Sequence, residues 1–259
     1  MAVKNCFIRT DAHVHMGYYT RYGYEEPFYY SPRRVVGLMD RCGIDEFIVS
    51  TTNSQVPSIS LSDILREAKE MKRLAGRRAH QFLWLSGRIY DSDRSLKVLD
   101  TGLYEGVKLH ELETPWYKER QGDLVQILEA VEVRRMKVQF HCSSAEGCRP
   151  LDLKSLANRF SGIKFDFAHC CHKEGILGVM EECPNVYTDT AMFDDYAAIE
   201  KCNEDIKSRI MFGSDFPAYH IIDGSGFTKE YNKRLIGATK ASVDMGIAFN
   251  NFLSKRGGF

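Results

Sequence analysis

Short apolar runs alternate with amphipathic segments along most of the chain, and this alternation is the feature that most constrains the fold. Eight of these runs have the length and composition of strands. They span residues 7–10, 47–50, 82–85, 106–109, 138–141, 163–167, 186–188 and 210–212. Several are continuously apolar or β-branched, as expected of parallel strands that are buried on both faces.

The segments between these runs carry helix signals. Ser31 is a suitable N-cap before Pro32, an apolar stripe of helical spacing follows, and Gly43 ends it. Further stripes of this kind lie at residues 61–75, 124–131, 176–180 and 228–255. Several of the predicted strands are therefore followed by a stretch that is able to form a helix and cover the sheet.

The number of alternations indicates the architecture. Eight strand–helix alternations in 259 residues match an α/β fold of the (β/α)8 TIM-barrel type, whose active site lies at the C-terminal ends of the strands. A doubly wound open sheet is the alternative, but no glycine-rich nucleotide fingerprint follows the first run. Because no internal repeat or linker is present, we predict a single domain over residues 1–259.

Histidine and aspartate side chains follow several of the predicted strands. His13 and His15 are two residues apart, so in an extended chain both point to the same side. His141, His169 and Asp215 each fall at the end of a later run. A barrel brings all these strand ends to one mouth, and imidazole nitrogens with carboxylate oxygens are the ligands of catalytic zinc sites. The sequence therefore predicts a metal-dependent enzyme.

The segment after the first run is rich in tyrosine. Residues 16–30 contain six of the thirteen tyrosines of the chain, and in a barrel this segment lies on the active-site face. We interpret Tyr18 and Tyr19 as part of a substrate wall; the alternative is a loop that packs its aromatic side chains on the barrel rim. His110 and Trp116, at and after the fourth run, are further candidates for substrate binding.

Composition narrows the range of partners. Lys+Arg and Asp+Glu are both 35, so we expect neither a nucleic-acid partner nor binding to an anionic membrane surface. No apolar run approaches the roughly 18 residues of a membrane span.

The eight cysteines form no CxxC pair, and no signal-peptide segment precedes the first run. We expect a cytoplasmic protein that acts on a small molecule; a homodimer is possible, since two-fold dimers are the commonest assemblies.

Three motifs resemble those of a known family. Residues 10–17 (TDAHVHMG) are similar to the opening motif of the amidohydrolase superfamily. Residues 213–217 (GSDFP) resemble the strand-8 motif of its amidohydrolase-2 branch, which includes decarboxylases related to aminocarboxymuconate semialdehyde decarboxylase. Residues 106–110 (GVKLH) are similar to the strand-4 segment of the same branch. The resemblance runs from residue 7 to about residue 252.

The resemblance implies roles for the strand-end residues. His13 and His15 would bind a metal directly, and His141 would be a further ligand. Asp215 would contact the metal or its bound water and act as general base. His169 would bind a second metal in a binuclear site, whereas in a mononuclear site it would orient or activate the water.

Lys108 would decide between these two arrangements. If its amine were carboxylated, Lys108 would bridge two metals; as an ammonium group it would contact a substrate carboxylate or supply a charge near the metal. The branch is often mononuclear, which favours one ion. We expect a divalent metal, most naturally Zn and one or two ions, although histidine and carboxylate ligands also accept Mn, Fe, Co or Ni.

Two reactions fit this set of residues. In a metal-dependent hydrolase, an activated water attacks the carbonyl carbon of a small cyclic or carbonyl-containing substrate, and Asp215 takes its proton. In a non-oxidative decarboxylase, the site instead protonates a carbon of a small unsaturated or aromatic carboxylate as carbon dioxide leaves. The ligands alone do not distinguish the two. A binding protein that has lost catalysis is disfavoured, because the ligand set is intact.

Overall fold

A computed structural model of the chain describes residues 8–19, 28–169, 173–193, 196–217 and 245–254. Several features considered from the sequence lie outside these ranges, namely Phe7, Tyr22, Tyr24 and most of the predicted 228–255 helix. The described strands are β1 (Thr10–Tyr19), β2 (Phe28–Tyr30), β3 (Glu46–Thr51), β4 (Ala79–Trp84), β5 (Gly106–Leu109), β6 (Lys137–His141), β7 (Lys164–Ala168), β8 (Val186–Asp189) and β9 (Ile210–Met211).

Helices follow most of these strands. The described α-helices are α1 (Pro32–Cys42), α2 (Leu61–Ala75), α3 (Ser92–Val98), α4 (Gln121–Val133), α5 (Pro150–Arg159), α6 (Lys173–Glu182), α7 (Tyr196–Glu200), α8 (Glu204–Lys207) and α9 (Met245–Leu253). Ser31 caps α1 by accepting the N–H of Arg34, and Gly43 ends it in the left-handed conformation, as predicted. No helix within the described ranges is long and apolar enough to cross a membrane.

The strands form one sheet that closes on itself. Their order is β2-β1-β3-β4-β5-β6-β7-β8-β9, and every neighbouring pair except β1–β2 is parallel. Closure occurs where the chain beyond β9 meets β1: the N–H of Ala12 donates to Phe212 O (2.7 Å), and the N–H of His15 donates to Phe216 O (2.6 Å). Eight parallel strands thus enclose a barrel, and the predicted fold class is confirmed.

Two local predictions need correction. The first strand is not residues 7–10: β1 starts at Thr10 and continues to Tyr19, so His13 and His15 lie within the strand rather than after it. The strand extends because its second half pairs with both neighbours, in parallel with β3 and antiparallel with β2. Strand β2, and helices α3 and α5, did not stand out in the sequence because they are short or lack a wide apolar stripe.

A bulge in β1 sets the direction of the histidines. Asp11 pairs with Phe47 and Val14 pairs with Val49, so three steps along β1 oppose two along β3. Bulges of this kind change the direction of a side chain next to a site. The buried carboxylate of Asp11 supports the bulge by accepting the N–H of His13 (3.0 Å).

The outcome of the bulge is visible in the packing. Ala12 packs with apolar residues inside the barrel, whereas Val14 packs on the outside with residues of α1. His13, the residue between them, lines the interior together with His15. Without the extra residue, alternation would place Ala12 and His13 on opposite faces of β1.

The C-terminal helix α9 closes the floor of the barrel. Its Ala248, Phe249 and Phe252 are fully buried and pack against inward-facing side chains of several strands. The strand residues in this cluster are Ala12, Ile48, Phe82, Tyr187 and Met211. The Nζ of Lys164 holds the end of the helix by donating to Ser254 Oγ (2.8 Å).

Truncating one floor aromatic is expected to be costly. Phe252→Ala removes a fully buried ring, so the free energy of unfolding should fall by about 3–5 kcal/mol. The control is Ile247→Ala on the same helix, where the side chain is 48% exposed and the loss should stay near or below about 0.5 kcal/mol. Urea denaturation measures both variants. Equal losses would contradict the assignment of α9 as the floor.

His80 makes the stability of the floor depend on pH. Burial alone lowers the pKa of His80, but its hydrogen bonds with Glu105 (3.1 Å) and Glu46 (3.1 Å) outweigh burial and raise the pKa above 6.5. The protonated ring therefore stabilises the fold below about pH 6.5, its unfolded-state pKa, and this contribution is lost as the pH rises through the folded-state pKa. The difference in unfolding free energy between wild type and His80→Gln should shrink from pH 6 to pH 9. A constant difference would refute this ion pair.

Candidate functional site

The C-terminal strand ends turn sharply at the mouth of the barrel. His141 is the last residue of β6, and His169 follows β7 directly. His169, Met192 and Asp215 adopt positive φ angles of 68°, 56° and 52°. Such left-handed conformations are uncommon for residues other than glycine and gather at functional sites. All three of these side chains line the same cavity.

His13, His15 and Asp215 form a compact group of three potential ligands. Their atoms are closely spaced: Nε2 of His13 lies 3.1 Å from Nε2 of His15, and Oδ1 of Asp215 lies 3.5 Å and 3.1 Å from these two nitrogens. All three side chains are buried. Residues that are about 200 positions apart in sequence are thus brought into contact by the closure of the barrel.

Gly213 allows this close approach of the strands. A Cβ atom at this position would lie 2.9 Å from Cβ of His13 and 3.0 Å from Cγ of Asp189. Either contact would push a site residue out of place, so a side chain cannot be accommodated at residue 213 without moving β1 or β8. The glycine of the GSDFP motif therefore has a packing role.

Hydrogen bonds to the Nδ1 atoms fix the orientation of the two histidine rings. Nδ1 of His13 donates to Oδ2 of Asp189 (2.7 Å), which leaves the Nε2 lone pair directed at the group of three. Nδ1 of His15 hydrogen-bonds Oγ of Ser50 (2.9 Å). Asp189 directly follows the predicted strand at residues 186–188, whereas nothing in the sequence singled out Ser50.

The group of three fits a divalent metal. Ligand atoms that bind one tetrahedral zinc at about 2.0–2.2 Å lie roughly 3.3–3.5 Å from one another. The three separations of 3.1–3.5 Å are close to this range. Two imidazole nitrogens and a carboxylate oxygen are also the donor types that zinc prefers. His13, His15 and Asp215 could therefore hold a metal ion.

Electrostatics keep these ligands in the states that bind metal. Burial, and secondly the charge of Lys108, lower the pKa of His13 to about 3, and burial also lowers the pKa of His15. Both imidazoles are thus neutral at pH 7. Burial raises the pKa of Asp215, but the neighbouring His13 and the hydrogen bond with His15 outweigh it, so the net pKa lies well below the usual range. Asp215 is therefore ionised.

Lys108 reaches the same group from β5. Its side chain is 1% exposed, and its Nζ lies 2.9 Å from Nε2 of His13. Burial lowers the pKa of Lys108, although the carboxylates of Asp189 and Asp215 act in the opposite direction. The lysine is therefore placed to contact either a metal ligand or a group bound next to it.

His141 and His169 form a second pair beside the first group. Nε2 of His169 lies 3.1 Å from Nδ1 of His141, and Nδ1 of His169 is 3.3 Å from Ala191 O. His169, His13 and Asp189 also form a second cluster of possible ligands. Because Asp189 already accepts a hydrogen bond from His13, we interpret its carboxylate as a support for the His13 ring rather than as a metal ligand. The structure does not bring His141 into either compact cluster.

A row of flat side chains lines one wall of the cavity. The rings of Trp84 and His110 are stacked with an interplanar angle of 9°, and those of His110 and His141 with an angle of 13°. His110 thus reaches the cavity on the same side as Lys108, as alternation along β5 predicts. The sequence did not single out Trp84. Its position at the end of a barrel strand, β4, was the one feature that could have indicated a place at the cavity.

Another part of the cavity wall is built by the antiparallel pair β1 and β2. Tyr18 and Tyr19 line the cavity, and the ring of Tyr18 lies 4.6 Å from that of Tyr29 on β2. Buried Glu67 anchors this pair by accepting the hydroxyl of Tyr29 (2.6 Å) and the amide of Asn53 (2.6 Å). The tyrosine-rich segment is therefore partly a strand pair rather than a loop.

The cavity has a volume of about 350 Å³. Its lining residues are His13, His15, Tyr18, Tyr19, Thr52, Gln55, Val56, Pro57, Trp84, Lys108, His110, Glu113, His141, His169, Met192 and Asp215. The polar atoms of the histidines, Lys108 and Asp215 gather on one side. This volume suits a small molecule.

The structure does not bring Trp116 to the cavity, contrary to expectation. Its side chain is 0% exposed and packs in the core between barrel and helices, where it contacts the ring of Tyr90 and the guanidinium group of Arg120. The loop after β5 turns back onto the barrel, because Glu111 accepts the N–H groups of Tyr117 (2.8 Å) and Lys118 (3.2 Å). Trp116 therefore belongs to the hydrophobic core.

Comparisons with solved structures support the fold. IDCase from Metarhizium anisopliae, in apo form, is 15% identical, with 99% of this chain and 100% of that chain covered and a TM-score of 0.69. A probable 2-pyrone-4,6-dicarboxylic acid hydrolase from Acinetobacter baumannii with bound citric acid is 11% identical, with 95% and 99% covered and a TM-score of 0.62. The 5-carboxyvanillate decarboxylase of Sphingomonas paucimobilis is 13% identical, with 95% and 99% covered and a TM-score of 0.59.

Sequence comparisons add the family. A search of curated proteins gave no significant match. A family model described as amidohydrolase matches residues 92–223, just over half of the chain, including β5 to β9 and Asp215. The motif resemblance, the barrel and this match agree, and the chain belongs to the amidohydrolase family, in its amidohydrolase-2 branch.

Proposed function

We propose that this protein is a metal-dependent hydrolase that cleaves a small cyclic or carbonyl-containing substrate in the 350 Å³ cavity. The observation that carries the proposal is the convergence of His13 Nε2, His15 Nε2 and Asp215 Oδ1 within 3.1–3.5 Å in the lining of that cavity. A ligand set of this kind next to an enclosed volume is typical of a catalytic metal site. The substrate is expected to be a small molecule.

The metal is expected to be zinc, with Mn, Fe, Co or Ni as alternatives. His13, His15 and Asp215 would hold it, with His141 or His169 completing the set. When bound, the metal polarises a carbonyl and lowers the pKa of a water molecule to about 7. Whether one or two ions bind depends on Lys108, because only a carboxylated lysine would bridge two metals.

Asp215 is the best-placed general base. Its carboxylate is ionised and lies at the cavity surface next to both ligand histidines. It would take a proton from the attacking water and return it to the leaving group, a role that typically contributes 10²–10⁴-fold to the rate. His169, whose Nδ1 is anchored near Ala191 O, would orient the water. Lys108 would contact an oxygen of the substrate if its amine is not carboxylated.

Decarboxylation is the competing function. The stacked wall of Trp84, His110 and His141 suits a flat, unsaturated ring, and such rings occur in the aromatic carboxylates that decarboxylases act on. Both a hydrolase and a decarboxylase share the fold. In that case the site would protonate the ring carbon while carbon dioxide leaves.

Metal binding should be measurable as added stability. At a free Zn²⁺ concentration of 100 times Kd, the free energy of unfolding should rise by about 2.7 kcal/mol. His15→Ala should abolish most of this increase because one of three ligands is lost. His80→Gln is the matched control: His80 lies at the opposite end of the barrel, so its variant should keep the full increase. Elemental analysis gives the number of ions per chain, and absence of any Zn²⁺ effect in wild type would refute the site.

The reaction class can be tested with labelled water. We expect incorporation of ¹⁸O from water into one product when the enzyme turns over a panel of lactones, cyclic amides and aromatic carboxylates. Asp215→Asn should lower the rate by at least about 10²-fold while the fold stays largely intact, because it removes the general base and also neutralises one of the three metal ligands. Asp93→Asn, an exposed change on α3, should leave the rate unaffected. Release of carbon dioxide without ¹⁸O incorporation would favour the decarboxylase and reject the hydrolase.

A further inference from the structure

A buried carboxyl group lies directly beneath the candidate metal site. Asp166, on β7, is 0% exposed and faces the barrel interior. Its Oδ2 accepts the side-chain N–H of Gln139 (2.8 Å), which also donates to Ala12 O (3.0 Å). No N–H or O–H donor of the described residues reaches its Oδ1. A buried, ionised oxygen without a donor would be costly, so the state of this atom needs an explanation.

The neighbour of Asp166 is the carboxylate of Asp189. Asp189 already accepts three N–H groups: His13 Nδ1 (2.7 Å) on Oδ2, and the main-chain N–H groups of His169 (3.1 Å) and Ala191 (2.9 Å) on Oδ1. Asp166 pairs with Tyr187 across β7 and β8, so Asp189, two residues further along β8, is the next side chain on the same face, and its charge acts on the carboxyl group of Asp166. Two buried carboxyl groups in contact cannot both be ionised without strong repulsion. Because three N–H groups donate to Asp189, the negative charge of the pair is stabilised on the Asp189 carboxylate.

Asp166 is therefore the protonated partner. Burial, followed by the charge of Asp189, raises the pKa of Asp166 well above its usual range, and this outweighs the hydrogen bond from Gln139 and the charge of Lys108, which both lower it. A proton on Oδ1 turns the otherwise unmatched oxygen into a donor to Asp189, so every polar atom of the pair is satisfied.

We propose that Asp166 holds a permanent proton, donates it in a hydrogen bond to Asp189, and thereby acts as a positioning residue for the metal ligand His13. The connection runs from Gln139 on β6 through Asp166 on β7 and Asp189 on β8 to His13 on β1. It rests on the proposed function in that His13 is taken to bind the metal. Residues behind the ligands typically change metal affinity or activity by 10–100-fold when they are removed.

The experiment compares two changes at residue 166. In Asp166→Asn, the amide can still accept from Gln139 through its oxygen and donate to Asp189 through its nitrogen, so the Zn²⁺ dissociation constant should stay close to that of wild type. In Asp166→Ala the donor is lost, so Zn²⁺ should bind about 10–100-fold more weakly. Competition with a chelator, using Zn²⁺ alone, measures both constants.

Thr188→Val is the matched control. Thr188 is also fully buried, on the strand next to β7, and its hydroxyl donates to Phe167 O (2.6 Å). The variant removes one buried hydrogen bond from the same strands, but this bond has no connection to His13. Its Zn²⁺ affinity should remain that of wild type even though its stability falls.

Infrared spectroscopy gives a readout that does not depend on metal. The wild-type protein at neutral pH should show the carbonyl stretch of a protonated carboxyl group, and this band should disappear in Asp166→Asn. Absence of the band, wild-type affinity in Asp166→Ala, or an equal loss in Asp166→Asn and Asp166→Ala would each overturn the proposal. Failure of wild type itself to bind Zn²⁺ would refute the metal site instead, while the infrared band would still test the proton on Asp166.

Discussion

The closure of the barrel between β1 and the chain beyond β9 is the interaction on which the site depends. Main-chain hydrogen bonds from Ala12 and His15 to residues 212 and 216 form this seam. The carboxylate of Asp11 strengthens it from the side, because its Oδ1 accepts N–H groups from both His13 and Ser214 (3.0 Å each). One buried aspartate thus supports the bulge that turns His13 inward and also fixes the segment that carries Asp215.

The interior of the barrel is divided into an apolar floor and a polar layer above it. The apolar floor requires only close packing of side chains, which the aromatic residues of α9 provide. The polar layer needs complete pairing, since unpaired charges in this position would be strongly destabilising. The carboxylates of Asp11, Asp189 and Asp215 each meet several N–H groups or imidazoles. Rigid pairing of this kind holds ligand atoms at fixed distances before any ion binds.

The sequence was sufficient for the fold class and for the histidine and aspartate residues that meet at the mouth. Periodicity located seven of the eight barrel strands, and β5 was placed at its observed limits, because buried parallel strands form short, continuously apolar runs. The end of β1 was not predictable, since it depends on pairing with β2, a contact made by residues that carry no strand pattern of their own. The bulge was equally hidden, because a register shift is a property of two strands together.

Residues that act through others were the hardest to predict. Ser50, Gln139 and Asp166 have no unusual spacing, and their importance arises only from which atoms the closed barrel places next to them. Trp116 shows the opposite error: a large aromatic residue in a loop after a barrel strand looked exposed to the cavity, but the turn made by Glu111 directs it into the core. The direction of a loop depends on hydrogen bonds such as those to Glu111, and the pattern of residue types along the sequence does not reveal them.

The floor formed by α9 also determines how molecules travel through the protein. Among the described residues, Phe249 and Phe252 fill the lower end of the barrel, whereas Tyr18 and Met192 line the cavity near the strand ends and are 37% and 48% exposed. In the proposed enzyme, these described walls would make entry and exit share the route past the strand ends. A substrate would enter with its reactive group leading, and a product would retrace that path before another molecule could follow. Residues at the mouth such as Tyr18 and Met192 would then influence release as well as selection, and a change there would alter the rate of turnover without touching any bond-breaking group.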